Sequence, residues 1–301
     1  MKKTVSILIC LAIIIVCLTG CGSTGDKLVV IDSRVAEGKI ILQMAKMMIE
    51  KDTDISVEIK DSMTAVNSYT EILEGRADMM MSYDGTLLTT LLHADPSEVP
   101  EGMTLYDYAN KLALEKDGTE LLAKVGLDNT YALAVTEAVM EKYKLKTISD
   151  LAKISGDLVF GAEHEFFDDE GSMKFKPFCE FYGINFKDSK SVDLNLKYAA
   201  VESENLDVTV VYATDGLNIK AGLKILEDDK QFFPEYNGAL LVKGDIFDRF
   251  KESAPNLEEI LDRLSGRFTN ESMTKLSYAV DVEGKEPRDI AKQTLTEWGL
   301  L

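Results

Sequence analysis

The stretch Leu206–Val242, LDVTVVYATDGLNIKAGLKILEDDKQFFPEYNGALLV, decides how the chain is read. Val208 to Val211 is a short apolar run rich in β-branched residues, the pattern of a buried strand. Thr214-Asp215-Gly216 supplies turn chemistry. An amphipathic link follows, and Gly238 to Val242 forms a second strand. Tyr212 and Tyr236 stand at the ends of these elements, beside turn-forming residues. A tyrosine so placed has its ring free to line a cleft, although one such ring alone is usually rim packing. Two more occupy similar settings, Tyr83 in SYDGT and Tyr131 in NTYALAV. Four rings at four turn-adjacent positions can box a cation.

Upstream, strands alternate with helices. Lys27 to Asp32 reads as a parallel-type strand. In Glu37 to Lys51, Ile40, Ile41, Met44, Met47 and Met48 fall on one helical stripe, which is core rather than a binding surface. Ile55 to Ile59 is a second strand. Asn67 to Glu74 is a helix closed by Gly75, and Asp78 to Ser82 is a third strand opening into Tyr83. This order predicts an α/β lobe with a mainly parallel sheet. Ligands of such sheets sit at the carboxyl ends of the strands, where Arg34 and Tyr83 lie.

After Leu87 the pattern is helical, over Leu87–His93 and Thr104–Val125. A turn at Gly126–Thr130 and a strand at Tyr131–Val135 mark a crossing into a second lobe. That lobe holds helices at Thr136–Tyr143, from Ser149, at Phe175–Tyr182 and at Leu196–Glu202. Its further strands are Leu158–Gly161, Val192–Asn195 and Val208–Val211. The chain returns near Phe233–Tyr236 and ends in four helices: Ile246–Glu252, Asn256–Ser265, Asn270–Val280 and Pro287–Trp298. The expected fold is α/β, with mixed sheets flanked by helices and a cleft between two lobes. Lobe I is discontinuous, 27–128 plus 235–301; lobe II is 129–234.

The N-terminus carries its own message. Met1-Lys2-Lys3 is a positive n-region, and Ile7–Leu18 is an apolar run too short to span a bilayer comfortably. Leu18-Thr19-Gly20-Cys21 looks like a bacterial lipobox. Residues 1–20 are therefore expected to be a lipoprotein signal peptide, Cys21 the lipid attachment site and 21–26 a flexible tether. Cys10 and Cys17 depart with the signal, so Cys179 is left without a disulfide partner and reads as a small buried hydrophobe.

The 301 residues carry a net charge of −19, and loss of Lys2 and Lys3 makes the mature chain two charges more negative. Such a surface repels nucleic acid and anionic headgroups. Only two histidines are present, His93 and His164, without a CxxC or HExxH frame, so no metal or cofactor is expected. No GxSxG or other nucleophile motif supports an enzyme.

Six segments carry a resemblance: 71–88 (EILEGRADMMMSYDGTLL), 126–135 (GLDNTYALAV), 160–167 (FGAEHEFF), 206–216 (LDVTVVYATDG), 228–242 (DDKQFFPEYNGALLV) and 277–295 (SYAVDVEGKEPRDIAKQTL). In this order they resemble substrate-binding lipoproteins of ABC importers for quaternary ammonium osmoprotectants: glycine betaine, carnitine and choline. The resemblance implies a two-lobed type II periplasmic-binding-protein fold. It also implies a monomer anchored by lipid to the outer face of the bacterial membrane, serving a cognate ABC permease and ATPase. Cage tyrosines of the family match Tyr83, Tyr131, Tyr212 and Tyr236. Asn129 matches a position whose backbone oxygen faces the cation, and Thr86 a hydroxyl contact. Arg34 matches, within one residue, a basic position on the first lobe.

The chemistry is coherent. A trimethylammonium group has no N–H to donate, and aromatic faces suit it by cation–π attraction. One departure bears on the ligand. Carboxylate-binding relatives carry an arginine after the EFF-like segment, whereas Phe166–Gly171 here reads FFDDEG with no base. That leans mildly toward choline over betaine or carnitine. Two alternatives stay open: another betaine or amino-acid-like solute, and a sensor or surface protein that uses the same fold.

Overall fold

The computed structural model describes residues 26–167, 172–193 and 196–301. The expected signal peptide, Cys21 and the acidic loop 168–171 lie outside the described residues. In chain order the strands are β1 (Lys27–Ile31), β2 (Ser56–Lys60), β3 (Met79–Tyr83), β4 (Thr119–Leu121), β5 (Tyr131–Thr136), β6 (Val159–Ala162), β7 (Asp188–Ser191), β8 (Val208–Tyr212), β9 (Leu223–Ile225) and β10 (Gly238–Lys243). They form two sheets of five strands, ordered β2-β1-β3-β10-β4 and β7-β6-β8-β5-β9.

In the first sheet β1 runs parallel to β2 and β3, the expected product of right-handed βαβ crossovers. β10 then inserts antiparallel between β3 and β4, which makes the sheet mixed. The helix Ala36–Asp52 covers one face. Its stripe of Ile40, Ile41, Met44 and Met48 is fully buried against the sheet and against Ile290 and Leu295 of the helix Pro287–Glu297. Each such side chain contributes about 1.5–3 kcal/mol of apolar burial, so this helix is a principal anchor of the lobe. The second sheet is covered by an aromatic core in which Phe160 stacks on Phe175 and Phe186.

Three readings of the sequence are corrected. The helix expected over Thr104–Val125 spans Leu105–Asp117 and stops at Gly118, whose φ of 63° places it in the left-handed region natural to glycine. Thr119–Leu121 beyond it is β4, on β10. The strand expected over 192–195 lies earlier, as β7 on β6; residues 194 and 195 lie outside the described residues. The link after Gly216 contains a short helix, Leu217–Lys220, and β9, the edge partner of β5.

Two crossings join the sheets, and they run side by side. Asp128 and Asn237 form an antiparallel bridge. The Asn129 amide donates to the Tyr236 carbonyl at 3.0 Å, and the Asp128 carboxylate accepts from the Tyr236 amide at 2.7 Å. The Thr130 hydroxyl donates to the Pro234 carbonyl at 2.6 Å. This double-stranded seam puts the ends of β3, β5, β8 and β10 in one neighbourhood.

Candidate functional site

Strand pairing delivers the tyrosines in couples. Tyr131 opens β5 and Tyr212 closes β8, and the antiparallel register makes them direct partners. Tyr83 closes β3 opposite Gly238 of β10, and Tyr236 lies two residues before that glycine. The Tyr131 and Tyr212 rings stack with centroids 5.0 Å apart and planes 23° from parallel. Those of Tyr83 and Tyr236 stack at 5.0 Å and 25°. The hydroxyls of Tyr131 and Tyr212 are 3.3 Å apart. The two couples approach each other at the seam, where the Tyr236 carbonyl takes the amide of Asn129, two residues before Tyr131. Burial pushes all four phenols upward, so the rings stay neutral and keep the electron-rich faces that attract cations.

The Tyr236 ring is fixed from two sides. The Thr86 and Tyr236 hydroxyls share a hydrogen bond. Gly85 lies under the ring, where any Cβ would overlap ring carbons. Buried Asp84 holds the turn by accepting from the Gly85 amide at 2.7 Å, the Asn237 amide at 3.0 Å and the Asn237 side chain at 2.8 Å. Burial pushes its carboxyl up to about 6, against these hydrogen bonds.

Glu37 is the residue of this candidate site that sequence reasoning missed. It sits in the first turn of the helix Ala36–Asp52 and is 3% exposed. Its carboxylate accepts from the Tyr83 hydroxyl, from Asn129 Nδ2 at 2.9 Å and from the Thr214 hydroxyl. Asn129 Oδ1 in turn accepts from the Thr214 amide at 3.2 Å. Asn129 thus reaches the site by its side chain, while its backbone amide is committed to the seam. Burial pushes the Glu37 carboxyl upward, opposed by these donors. An acid in the first turn of a helix that leaves a ligand-bearing strand edge is the signal that could have found it.

Arg34 is exposed and lines a hollow of about 440 Å³ together with Glu37, Asn129, Tyr212, Thr214 and Asp215; of the four tyrosines, Tyr212 alone lines it. Behind Tyr212 lies a second feature not foreseen. Lys197 is fully buried, donating to Glu163 at 3.0 Å and to the Val210 carbonyl at 2.9 Å, with its ammonium 5.9 Å from the Tyr212 ring centroid. Tyr198 is buried packing that donates its hydroxyl to Asp215.

Two α/β lobes, two antiparallel crossings and a hollow at the seam define a solute-binding protein of the type II periplasmic class. Comparison with known proteins carries this further. Residues 26–297 match the family described as the substrate binding domain of ABC-type glycine betaine transport systems (OpuAC), and the chain belongs to that family. It is therefore a substrate-binding protein of an ABC importer, not an enzyme, and proteins of this family are extracytoplasmic. The carnitine transport binding protein OpuCC of Listeria monocytogenes is 30% identical over 282 residues, 91% of this chain and 87% of that protein. The ergothioneine transport permease/ergothioneine binding protein EgtU of Helicobacter pylori is 32% identical over 236 residues, 78% of this chain but 41% of that protein. Among solved structures, a glycine betaine/carnitine/choline ABC transporter protein superposes with a TM-score of 0.82 at 28% identity, over 92% of this chain and 99% of that one. Among the described residues no helix is long and apolar enough to cross a membrane.

Proposed function

We propose that the chain captures a quaternary ammonium compound between its lobes and delivers it to a cognate ABC permease and its ATPase. The observation that carries this reading is the pair of stacked tyrosine couples, Tyr83/Tyr236 and Tyr131/Tyr212, meeting at the seam. Each ring face contributes about 0.5–2 kcal/mol to holding a desolvated cation. Thr86 fixes one ring, Asn129 ties the crossing to Glu37, and Arg34, lining the hollow, is the base available to a ligand's tail. Lobe I comprises 27–128 and 235–301 and lobe II 129–234, with the hinge at the crossings. The mature protein is a monomer held to the outer face of the cell membrane by a lipid on Cys21.

The site favours choline over carboxylated ligands. Glu37, Asp215 and Asp281 line the hollow beside Arg34, and the carboxyl of Asp281 is pushed upward first by burial and then by Asp215, against the opposing charge of Lys39. A ligand carboxylate there would add a further negative charge. A second reading keeps the cage and changes the tail: similarity to EgtU supports ergothioneine, itself a trimethylammonium betaine. Titration calorimetry with choline, glycine betaine, carnitine and ergothioneine tests both. Choline is expected to bind most tightly. Betaine binding tighter than choline removes the preference, and no heat from any of the four removes the ligand class.

A further inference from the structure

We propose that the Glu37 carboxylate is the positioning group that fastens the second lobe to the first and, in the same act, sets the Tyr83 ring in the cage. The role follows from where its donors come from. Tyr83 ends β3 of the first sheet, Asn129 lies on the crossing, and Thr214 follows β8 of the second sheet. A carboxylate removed from water is strongly disfavoured unless donors replace its hydration. Here three donors from three separate segments replace it, and none comes from the carboxylate's own helix.

The bonds form a closed circuit. One carboxylate oxygen takes both Tyr83 and Asn129, and the other takes the Thr214 hydroxyl. Thr214 closes the circuit by donating its backbone N–H to Asn129 Oδ1 at 3.2 Å. Moving the second lobe away carries Asn129 and Thr214 with it and parts their bonds to Glu37. Water then reaches Glu37 and replaces those bonds, so the circuit favours closure without preventing opening. Tyr83 shares an oxygen with Asn129, so ring orientation and lobe position are set by the same group. A ligand resting on Tyr83 therefore meets a ring already held in the closed geometry, and release requires the circuit to break. The prediction concerns release: a latch slows dissociation, whereas a bare counter-charge speeds association and fades with salt.

The test uses the full chain, with choline and glycine betaine as probes and stopped-flow rates read at two salt concentrations. Glu37→Ala is expected to speed dissociation at least tenfold with association within twofold of wild type. Glu37→Gln should stay within about threefold. Its amide oxygen accepts from Tyr83 and Asn129, and its N–H2 donates to the Thr214 oxygen, so the circuit survives without the charge. Thr214→Val should speed dissociation severalfold, and the Glu37→Ala/Thr214→Val double variant should be no worse than the weaker single one. Additive losses, a Gln variant as poor as Ala, or an effect confined to association each overturn the proposal. Hydrogen exchange at the Thr214 amide reads the circuit without ligand. At least tenfold faster exchange in Glu37→Ala but not in Glu37→Gln supports it, and unchanged exchange overturns it. Should no probe bind wild type, the ligand reading fails while this exchange measurement still decides the latch.

Discussion

Truncating Tyr212 isolates the cage from the fold. Its ring is 38% exposed and its main contacts are the stacked face of Tyr131 and that residue's hydroxyl at 3.3 Å. Tyr212→Ala removes one ring of the proposed cage, about 0.5–2 kcal/mol, and the stacking that holds Tyr131, about 0.5–1.5 kcal/mol. Together, at about 1.4 kcal/mol per tenfold, these should lower affinity for choline between about fivefold and about three-hundredfold. A rim position leaves the core intact, so the loss of stability should be about 1 kcal/mol, or roughly 2–4 °C in Tm for a chain of this size. Tyr212→Phe keeps the face and loses one long, exposed hydroxyl contact, so it should bind within about twofold of wild type. Calorimetry gives the affinities, and thermal melts of the ligand-free proteins give the stability. Equal losses for Phe and Ala, or Ala binding within twofold of wild type, would show that the ring face is not what holds the ligand.

Gly85→Ala should displace the Tyr236 ring, because the added Cβ overlaps it; calorimetry should find affinity down at least tenfold, with far-UV circular dichroism unchanged. Lys197→Met should cost about 3–5 kcal/mol in urea melts, since it leaves Glu163 buried without its cation. Adding Glu163→Leu should restore most of that stability. Asp84 should titrate near pH 6 when its carboxyl carbon is followed by NMR, and a midpoint at or below 4 would contradict the cause assigned to it. Its folded pKa is raised above the unfolded 3.8, so the native state holds the proton longer. Its contribution is therefore most favourable below about pH 4 and declines as pH rises through 6, by about 3 kcal/mol in total.

The long elements were readable because their apolar periodicity is strong: the Ile40–Met48 stripe and the runs at Met79–Met81 and Val208–Val211 declare themselves. The missed strands are short or polar. β4 is three residues following a helix without a break in composition other than Gly118, and β9 is three residues on an edge. β7 reads DSKS and is exposed throughout, so only its backbone pairing with β6 makes it a strand. The tyrosines stood out because each adjoins turn chemistry. Glu37 did not, because its donors lie 46, 92 and 177 residues away. Lys197 stayed hidden because a lysine in a helix ordinarily signals a solvated face.

The position of β10 has a consequence for biosynthesis. It occupies an interior place in the first sheet, yet it is made only after every strand of the second sheet. During vectorial synthesis the later-encoded lobe can therefore mature ahead of the earlier one, whose sheet remains split until Lys243 is available. Until then β3 presents an unpaired edge of Met79, Met80 and Met81.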